Sequence, residues 1–231
     1  VQTGIQGIAS SVDSVAKTLN VAGLPVITDS ATFVVTSAGL AGSFADLTGN
    51  MNVEVYGLPQ TDGTFKATRI EIKTTAQPVQ LVGTVSSLNT TNSTFILGTG
   101  SNTVTVAYSG VTMPAGLANG SVVSVHTSTT SSAAQYSATS LYLRSTNVST
   151  FTQYATNYVG TSGLQNEANE LYGMVSNLTQ NGSSCSMQVQ GVPTTLSSAT
   201  LCASIQNGDY VEVKGLLVNG SLTAYRVEFK T

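Results

Sequence analysis

Residues 208–230, GDYVEVKGLLVNGSLTAYRVEFK, form the stretch that decides the fold of this chain. Val211 and Val213 alternate with charged neighbours, and apolar residues alternate with polar ones again after a turn at 218–220. Alternation with a period of two is typical of strands that bury one face, and the glycine in the turn can adopt a positive φ. The stretch therefore predicts a β-hairpin.

Two earlier parts of the chain repeat this hairpin and the strand that opens its unit. The matching hairpins lie at 52–57 with 65–73 and at 121–127 with 136–144. The opening strands are IQGIASSV at 5–12, LVGTVSSL at 81–88 and LYGMVSNL at 171–178. A glycine at a fixed place in each opening strand suggests a bulge or a tight bend. Similar cores with loops of different length indicate one small fold used three times.

Each unit contains the signals of five short strands and little that is typical of a helix. The predicted fold class is all-β, with three tandem small antiparallel β-barrel modules of OB type, and a small sandwich is the alternative. The predicted domains are repeat 1 at 1–75, repeat 2 at 79–145, a connector at 146–168 and repeat 3 at 169–231. Repeat 1 carries an insertion at 29–46, where an OB-type barrel has a helix or a long loop, and the insertion contains a strand-like segment at 32–35.

Cys185 and Cys202 are the two cysteines of the chain, and both lie in repeat 3. A disulfide between them is the first interpretation, and two buried thiols are the alternative. A zinc site is disfavoured, because His126 is the sole histidine and lies in a different repeat.

The composition favours a location outside the cytoplasm. Charged residues make up 8% of the chain, against about 25% in a typical soluble domain. A net charge of −3 argues against binding to nucleic acid, and no run of eighteen apolar residues predicts a transmembrane segment. The start at Val1 without methionine fits a processed, exported chain, so we expect an extracellular or cell-surface protein.

The repeated motifs resemble a bacterial family of domains of unknown function. The L-x-G-x-V-S opening, the G-x-x-V-E-V-x-G strand and the closing A-x-x-I-E strand carry the resemblance, which is strongest in repeats 1 and 3. In repeat 2, Ser124 and Tyr142 stand where the other repeats have glutamates. The resemblance implies an exported protein or lipoprotein with an OB-like fold, and it implies no activity.

The sequence predicts no catalytic residue, no cofactor and no metal ligand, and hence no enzyme. His126 lacks a nearby acid that would orient it as a base. Glu54 and Glu212 are interpreted as partners of Arg69 and Arg226 across the hairpins, on the solvent face. The aspartates at 13, 29, 46 and 62 are scattered and do not form a calcium loop.

Two functions remain open. The first is a non-enzymatic structural protein that associates with itself as a homo-oligomer or polymer, such as a filament of a bacterial surface or extracellular assembly. Phe151, Tyr154 and Tyr158 in the connector are the candidates for contacts within or between subunits. The second is a soluble exported module that binds a glycan, a peptide or a small ligand, with candidate aromatic residues in repeat 2 at Tyr108, Tyr136 and Tyr142.

Overall fold

The structure is a computed structural model that describes residues 4–30, 32–148, 169–189, 191–218 and 221–230. Within these ranges the fold is all-β, with a 3-10 turn at Phe44–Asp46 and a short helix, α1, at Ala199–Ser204. The strands are β1 Gly4–Asp13, β2 Thr18–Val21, β3 Leu24–Ile27, β4 Phe33–Val35, β5 Ala41–Gly42, β6 Asn52–Pro59, β7 Phe65–Lys73, β8 Gln80–Thr84, β9 Ser86–Asn89, β10 Thr94–Thr99, β11 Asn102–Ala107, β12 Val122–Thr127, β13 Gln135–Ser145, β14 Asn169–Asn181, β15 Ser184–Val189, β16 Val192–Leu196, β17 Tyr210–Val218 and β18 Ser221–Phe229.

The strands pair into three small rings. The first ring follows the order β1-β2-β3-β7-β6 and returns to β1. The second follows β9-β10-β11-β13-β12-β8, where Val85 alone separates β8 from β9 along the chain. The third is the closed barrel β14-β15-β16-β18-β17. In each ring a parallel pair, β3–β7, β11–β13 or β16–β18, completes an otherwise antiparallel order.

Each closing hairpin contains a β-bulge at the same place. The register between the two hairpin strands shifts next to three pairs that contain an alanine: Gly57 with Ala67, Thr127 with Ala138 and Gly215 with Ala224. At Gly215 a Cβ atom would collide with the carbonyl oxygen of Thr223. The glycine that recurs in the first and third hairpins is therefore needed for the close approach of two backbones.

The opening strands differ in one respect from the sequence-based expectation. The recurring glycine does not carry a bulge in the first strand; a Cβ atom on Gly7 would lie 2.8 Å from the Cβ of Ala22. The irregularity comes four residues later, where Ser11, Ser87 and Asn177 adopt positive φ angles of 48°, 50° and 51°. The glycine thus permits close packing, and the bend lies at a polar residue near the end of the buried part of the strand.

The insertion at 29–46 forms an extra strand pair, whose first strand, β4, lies within the strand-like segment predicted at 32–35. Strand β4 runs parallel to β7, with Val34 opposite Ile70, and β5 pairs with β4 on its other side. The 3-10 turn follows, and the Asp46 carboxylate accepts a hydrogen bond from the Ser43 backbone N–H at 2.7 Å. The corresponding connection in the third ring contains α1 instead.

The first two rings share one apolar core, whereas the third ring has its own. The turn at Ala22 and Gly23 packs against the second ring, where the Tyr136 hydroxyl donates a hydrogen bond to the Ala22 carbonyl at 3.0 Å. Burial raises the pKa of Tyr136, so the hydroxyl remains a donor at neutral pH. The first and second rings consequently form a continuous unit.

The predicted disulfide is present between Cys185 on β15 and Cys202 on α1, with their Cα atoms 5.7 Å apart. Both residues are buried in the core of the third ring. The Cys202 carbonyl also accepts a hydrogen bond from the Gln180 side-chain amide at 2.7 Å. The disulfide therefore attaches the short helix to the barrel wall.

We predict that the double substitution Cys185→Ala and Cys202→Ala lowers the free energy of unfolding of the third ring. The disulfide has a sequence separation of 17, and its loss should cost roughly 3 kcal/mol because the unfolded chain regains loop entropy. Chemical denaturation followed by circular dichroism measures the change. A reductant should lower the wild-type midpoint and leave the variant unaltered; an unaltered wild-type midpoint would contradict the prediction.

Candidate functional site

The most distinctive side-chain arrangement is a cluster of aromatic residues between the first and third rings, called here the aromatic junction. It consists of Phe33 and Tyr56 from the first ring and Tyr172 and Tyr210 from the third. The Phe33 and Tyr210 rings stack with centroids 4.9 Å apart, and the Tyr56 and Tyr172 centroids are 4.6 Å apart. Because all three tyrosines are buried, the junction holds the two rings together through dispersion and apolar burial.

Tyr210 also makes a polar contact across the junction. Its hydroxyl donates a hydrogen bond of 2.5 Å to the carbonyl oxygen of Thr68, which lies at the bulge of β7. Burial raises the pKa of Tyr210, and burial followed by the charge of Glu54 raises that of Tyr56. Both hydroxyls therefore remain protonated over the physiological range.

A group of charged side chains borders the aromatic rings. The Arg69 guanidinium lies 5.6 Å from the centroid of the Phe33 ring and 5.1 Å from that of Tyr172, and its Nε donates to Glu71 at 2.7 Å. Lys73 bridges Glu71 at 2.6 Å and Glu54 at 2.9 Å. The cation–π contacts of Arg69 add to the attraction between the rings.

The pKa values of this charged group reflect the same contacts. Burial opposes ionisation of Glu71, but hydrogen bonds from Lys73 and Arg69 hold its pKa below the usual range. Burial likewise opposes ionisation of Lys73, yet its hydrogen bonds to Glu71 and Glu54 raise its pKa. Both groups are thus charged at neutral pH and act as a fixed support for the junction.

The predicted pairing of glutamate with arginine across the hairpins is wrong in register. Glu54 lies opposite Glu71 and Glu212 opposite Glu228, so each pair is two residues away from the predicted register. Lysines neutralise these facing carboxylates: Lys73 contacts Glu54 and Glu71, and Lys230 contacts Glu212 and Glu228. Glu54, Arg69 and Glu212 are also buried rather than on the solvent face.

A cleft of about 500 Å³ opens beside the junction. Its lining consists of Ser30, Thr32, Phe33, Met174, Gly208 and Tyr210. The cleft combines an aromatic pair with a partly exposed methionine and two hydroxyls. Such a lining suits an apolar or sugar-like group of small size.

Other residues singled out in the sequence lie elsewhere. Phe151, Tyr154 and Tyr158 fall outside the described residues, so their contacts remain a prediction. Tyr108 and Tyr136 are buried and cannot form an exposed binding face in the second ring, which corrects that expectation.

His126 and Tyr142 form an edge-to-face pair on the second ring, with ring centroids 5.6 Å apart. The Tyr142 ring also lies 5.7 Å from the guanidinium carbon of the buried Arg144, whose Nε donates a hydrogen bond to the Ser124 hydroxyl at 2.6 Å. His126 therefore packs against an aromatic ring that is itself in contact with a buried cation.

The four scattered aspartates support turns. Asp13 accepts hydrogen bonds from the backbone of Val15 and Ala16, Asp62 accepts from Thr64, Asp46 from Ser43, and Asp29 pairs with Lys66 at 2.7 Å. In the described ranges no three metal-ligating side chains come together. The same ranges contain no helix with the length and apolar character needed to cross a bilayer.

The aromatic junction is absent from the sequence-based predictions, although the sequence contains a signal for it. Tyr172 and Tyr210 occupy the places that Gln6 and Asn52 hold in the first ring, as the strand registers show. Two tyrosines replacing two polar residues on the outer side of one barrel indicate a contact there. The position of Phe33 could not be found this way, because it depends on how the insertion folds.

Comparison with known families agrees with the strand pattern. A family model described as a domain of unknown function, DUF5666, matches residues 6–71 and 172–228. These ranges lie in the first and third rings, on the two sides of the aromatic junction. No curated protein matches the chain.

We predict that Tyr210→Phe weakens the contact between the first and third rings. The substitution keeps the stacked ring but leaves the buried Thr68 carbonyl without this donor, which should cost about 1–2 kcal/mol in the free energy of unfolding. Denaturant titration measures the loss. The control is Tyr225→Phe, at an exposed tyrosine, which should change stability by less than about 0.5 kcal/mol. Equal effects of the two variants would contradict a role for the Tyr210 hydroxyl.

We also predict that acid weakens the charged support of the junction through Glu71. Because the folded-state pKa of Glu71 is depressed, its stabilisation is complete above the unfolded pKa of about 4.3 and is lost as the pH falls through the folded-state pKa. Between about pH 5 and pH 3 the thermal midpoint of the wild type should therefore fall further than that of Glu71→Gln. Glu228→Gln, at the more exposed counterpart, should differ less from the wild type, since solvent screens that carboxylate more strongly. Parallel curves for the wild type and Glu71→Gln would show that Glu71 has no such role.

Proposed function

The chain belongs to the DUF5666 family of domains of unknown function, and from that premise we propose that it is an exported, non-enzymatic structural protein of a bacterium. Its copies associate into a surface or extracellular assembly such as a filament. In this proposal the chain is a row of three OB-like barrel modules, and each ring is one module. The common strand order with a parallel closing pair supports that division.

One observation carries the proposal: residues that are covered in the first ring have equivalents in the third ring that are exposed. In the first ring, β4 lies along β7 at 69–71, and the third ring covers Thr68 and Arg69. The equivalent residues of the third ring are Tyr225 and Arg226, and both are exposed. When a surface is covered in one module and exposed in the equivalent module, the exposed surface favours a contact with a further copy.

The surface chemistry also supports association outside the cytoplasm. With 8% charged residues and a net charge of −3, the chain offers little electrostatic repulsion to its own copies. The Cys185–Cys202 disulfide suits an oxidising compartment. The connector aromatics Phe151, Tyr154 and Tyr158 stay candidates for subunit contacts.

The second candidate function is that of an exported binding module for a glycan, a peptide or a small ligand. The cleft beside Phe33 and Tyr210 favours it, because aromatic rings with neighbouring hydroxyls are typical of small-ligand sites. This function requires no association between copies, so the two candidates differ in the mass of the native protein.

We predict that the native, exported protein is larger than one 23.7 kDa chain. Light scattering should give a mass that is a multiple of this value and that rises with concentration, and negative-stain microscopy should show extended or paired particles. Association follows from the open surface of the third ring and from the low net charge of the chain. A monomer at every concentration tested would overturn the structural proposal and favour the binding module.

A further inference from the structure

Among the described residues, no strand pairs with the outer edge of β18 over most of its length. On the side of β16, β18 is paired only at 222–224, through the parallel closing pair. From 225 to 229 no strand in the described part of the chain lies along that side. In the first ring the same edge is covered by β4, which pairs with β7 at 69–71. The third ring therefore presents a strand edge of the kind that accepts another strand.

The backbone groups along this edge alternate in direction. The Lys230 N–H donates to the Tyr210 carbonyl of β17 at 2.9 Å. Since alternate residues of an antiparallel strand point to opposite neighbours, Glu228 and Arg226 also direct their backbone groups to β17. Val227 and Phe229 consequently direct theirs to the open side.

The side chains along this edge follow an order that is symmetric about Val227, with an aromatic residue at each end and two opposite charges between them. Tyr225 is 60% exposed and Phe229 is 47% exposed. Between them, Arg226 and Glu228 form an ion pair on either side of the buried Val227. The order is thus aromatic, positive, apolar, negative and aromatic.

We propose that this edge pairs antiparallel with the same edge of a second copy, about a two-fold axis at Val227. The inference rests on the self-association proposed above and names its surface. In that pairing Val227 exchanges both backbone hydrogen bonds with its symmetry mate. Tyr225 then faces Phe229 of the second copy, and Arg226 faces Glu228, so each favourable cross-strand pair occurs twice.

The corresponding edge of the second ring lacks this self-complementarity. Centred on Leu141, which is equivalent to Val227, an antiparallel pair would place Ser140 against Tyr142 and Thr139 against Leu143. Neither pair combines opposite charges or two aromatic rings. The third ring is therefore the one suited to pair with itself.

A two-fold contact of this kind joins two copies and then closes. A filament would need a second, different contact elsewhere on the chain, since an isologous interface uses the same surface of both partners. The β18 contact accounts for pairs of subunits, which are the repeating unit of any longer assembly that contains it.

The test uses opposite charge reversals in the full chain, Arg226→Glu and Glu228→Arg. Each variant creates an opposite-charge pair across the hairpin, because position 226 faces Lys214 and position 228 faces Glu212, so we expect both variants to fold. Alone, either variant places like charges against each other across the two-fold axis. Sedimentation equilibrium should show the wild type pairing to twice 23.7 kDa, and each variant dissociating about tenfold more readily or worse.

An equal mixture of the two variants provides the control that an intrachain effect cannot imitate. Within each variant the charges at 226 and 228 remain alike, whereas between the two variants they are complementary, so the mixture should regain wild-type pairing. If the wild type associates but neither variant changes its mass, the β18 inference fails and the structural proposal stands. A monomeric wild type overturns both, and a mixture that stays dissociated overturns the two-fold pairing.

Discussion

A single parallel strand pair closes each ring, and the remaining geometry depends on that closure. The hairpin strands run antiparallel, so the last strand can reach the third strand only in a parallel direction. Closure satisfies the backbone groups of short strands that would otherwise form exposed edges. The last strand must bend to make this contact, and the bulge beside Ala67, Ala138 or Ala224 supplies the bend.

In each ring the last strand is longer than the strand with which it forms the parallel pair. Part of the edge of the last strand therefore extends beyond its partner. In the first ring β3 covers only the start of β7, and the inserted β4 covers the next part. The third ring has α1 in its corresponding connection, so β18 continues beyond β16 without a neighbouring described strand. One small difference in a connection thus decides whether a barrel edge is internal or open to a partner.

Charge in this protein is scarce and concentrated in two hairpins. Six of the eight lysine and arginine residues lie in them: Lys66, Arg69, Lys73, Lys214, Arg226 and Lys230. In the first hairpin the charges are partly buried and support the aromatic junction, where desolvation strengthens each pair. In the third hairpin Arg226 is exposed. The arginine of this motif is therefore buried at an internal contact in the first ring and exposed in the third.

The sequence by itself determined the local structure. Alternation with a period of two placed the hairpins at their observed positions, and the two cysteines indicated their disulfide, because these features depend on neighbours along the chain or on the absence of alternatives. Tertiary structure alone decided the register. Glu54 lies opposite Glu71 instead of Arg69, a shift of two residues; the extra residue of the bulge accounts for one of them and the hairpin loop for the other. It also decided that Tyr210 reaches Thr68, 142 residues earlier in the chain, because no local pattern encodes how one barrel docks on another.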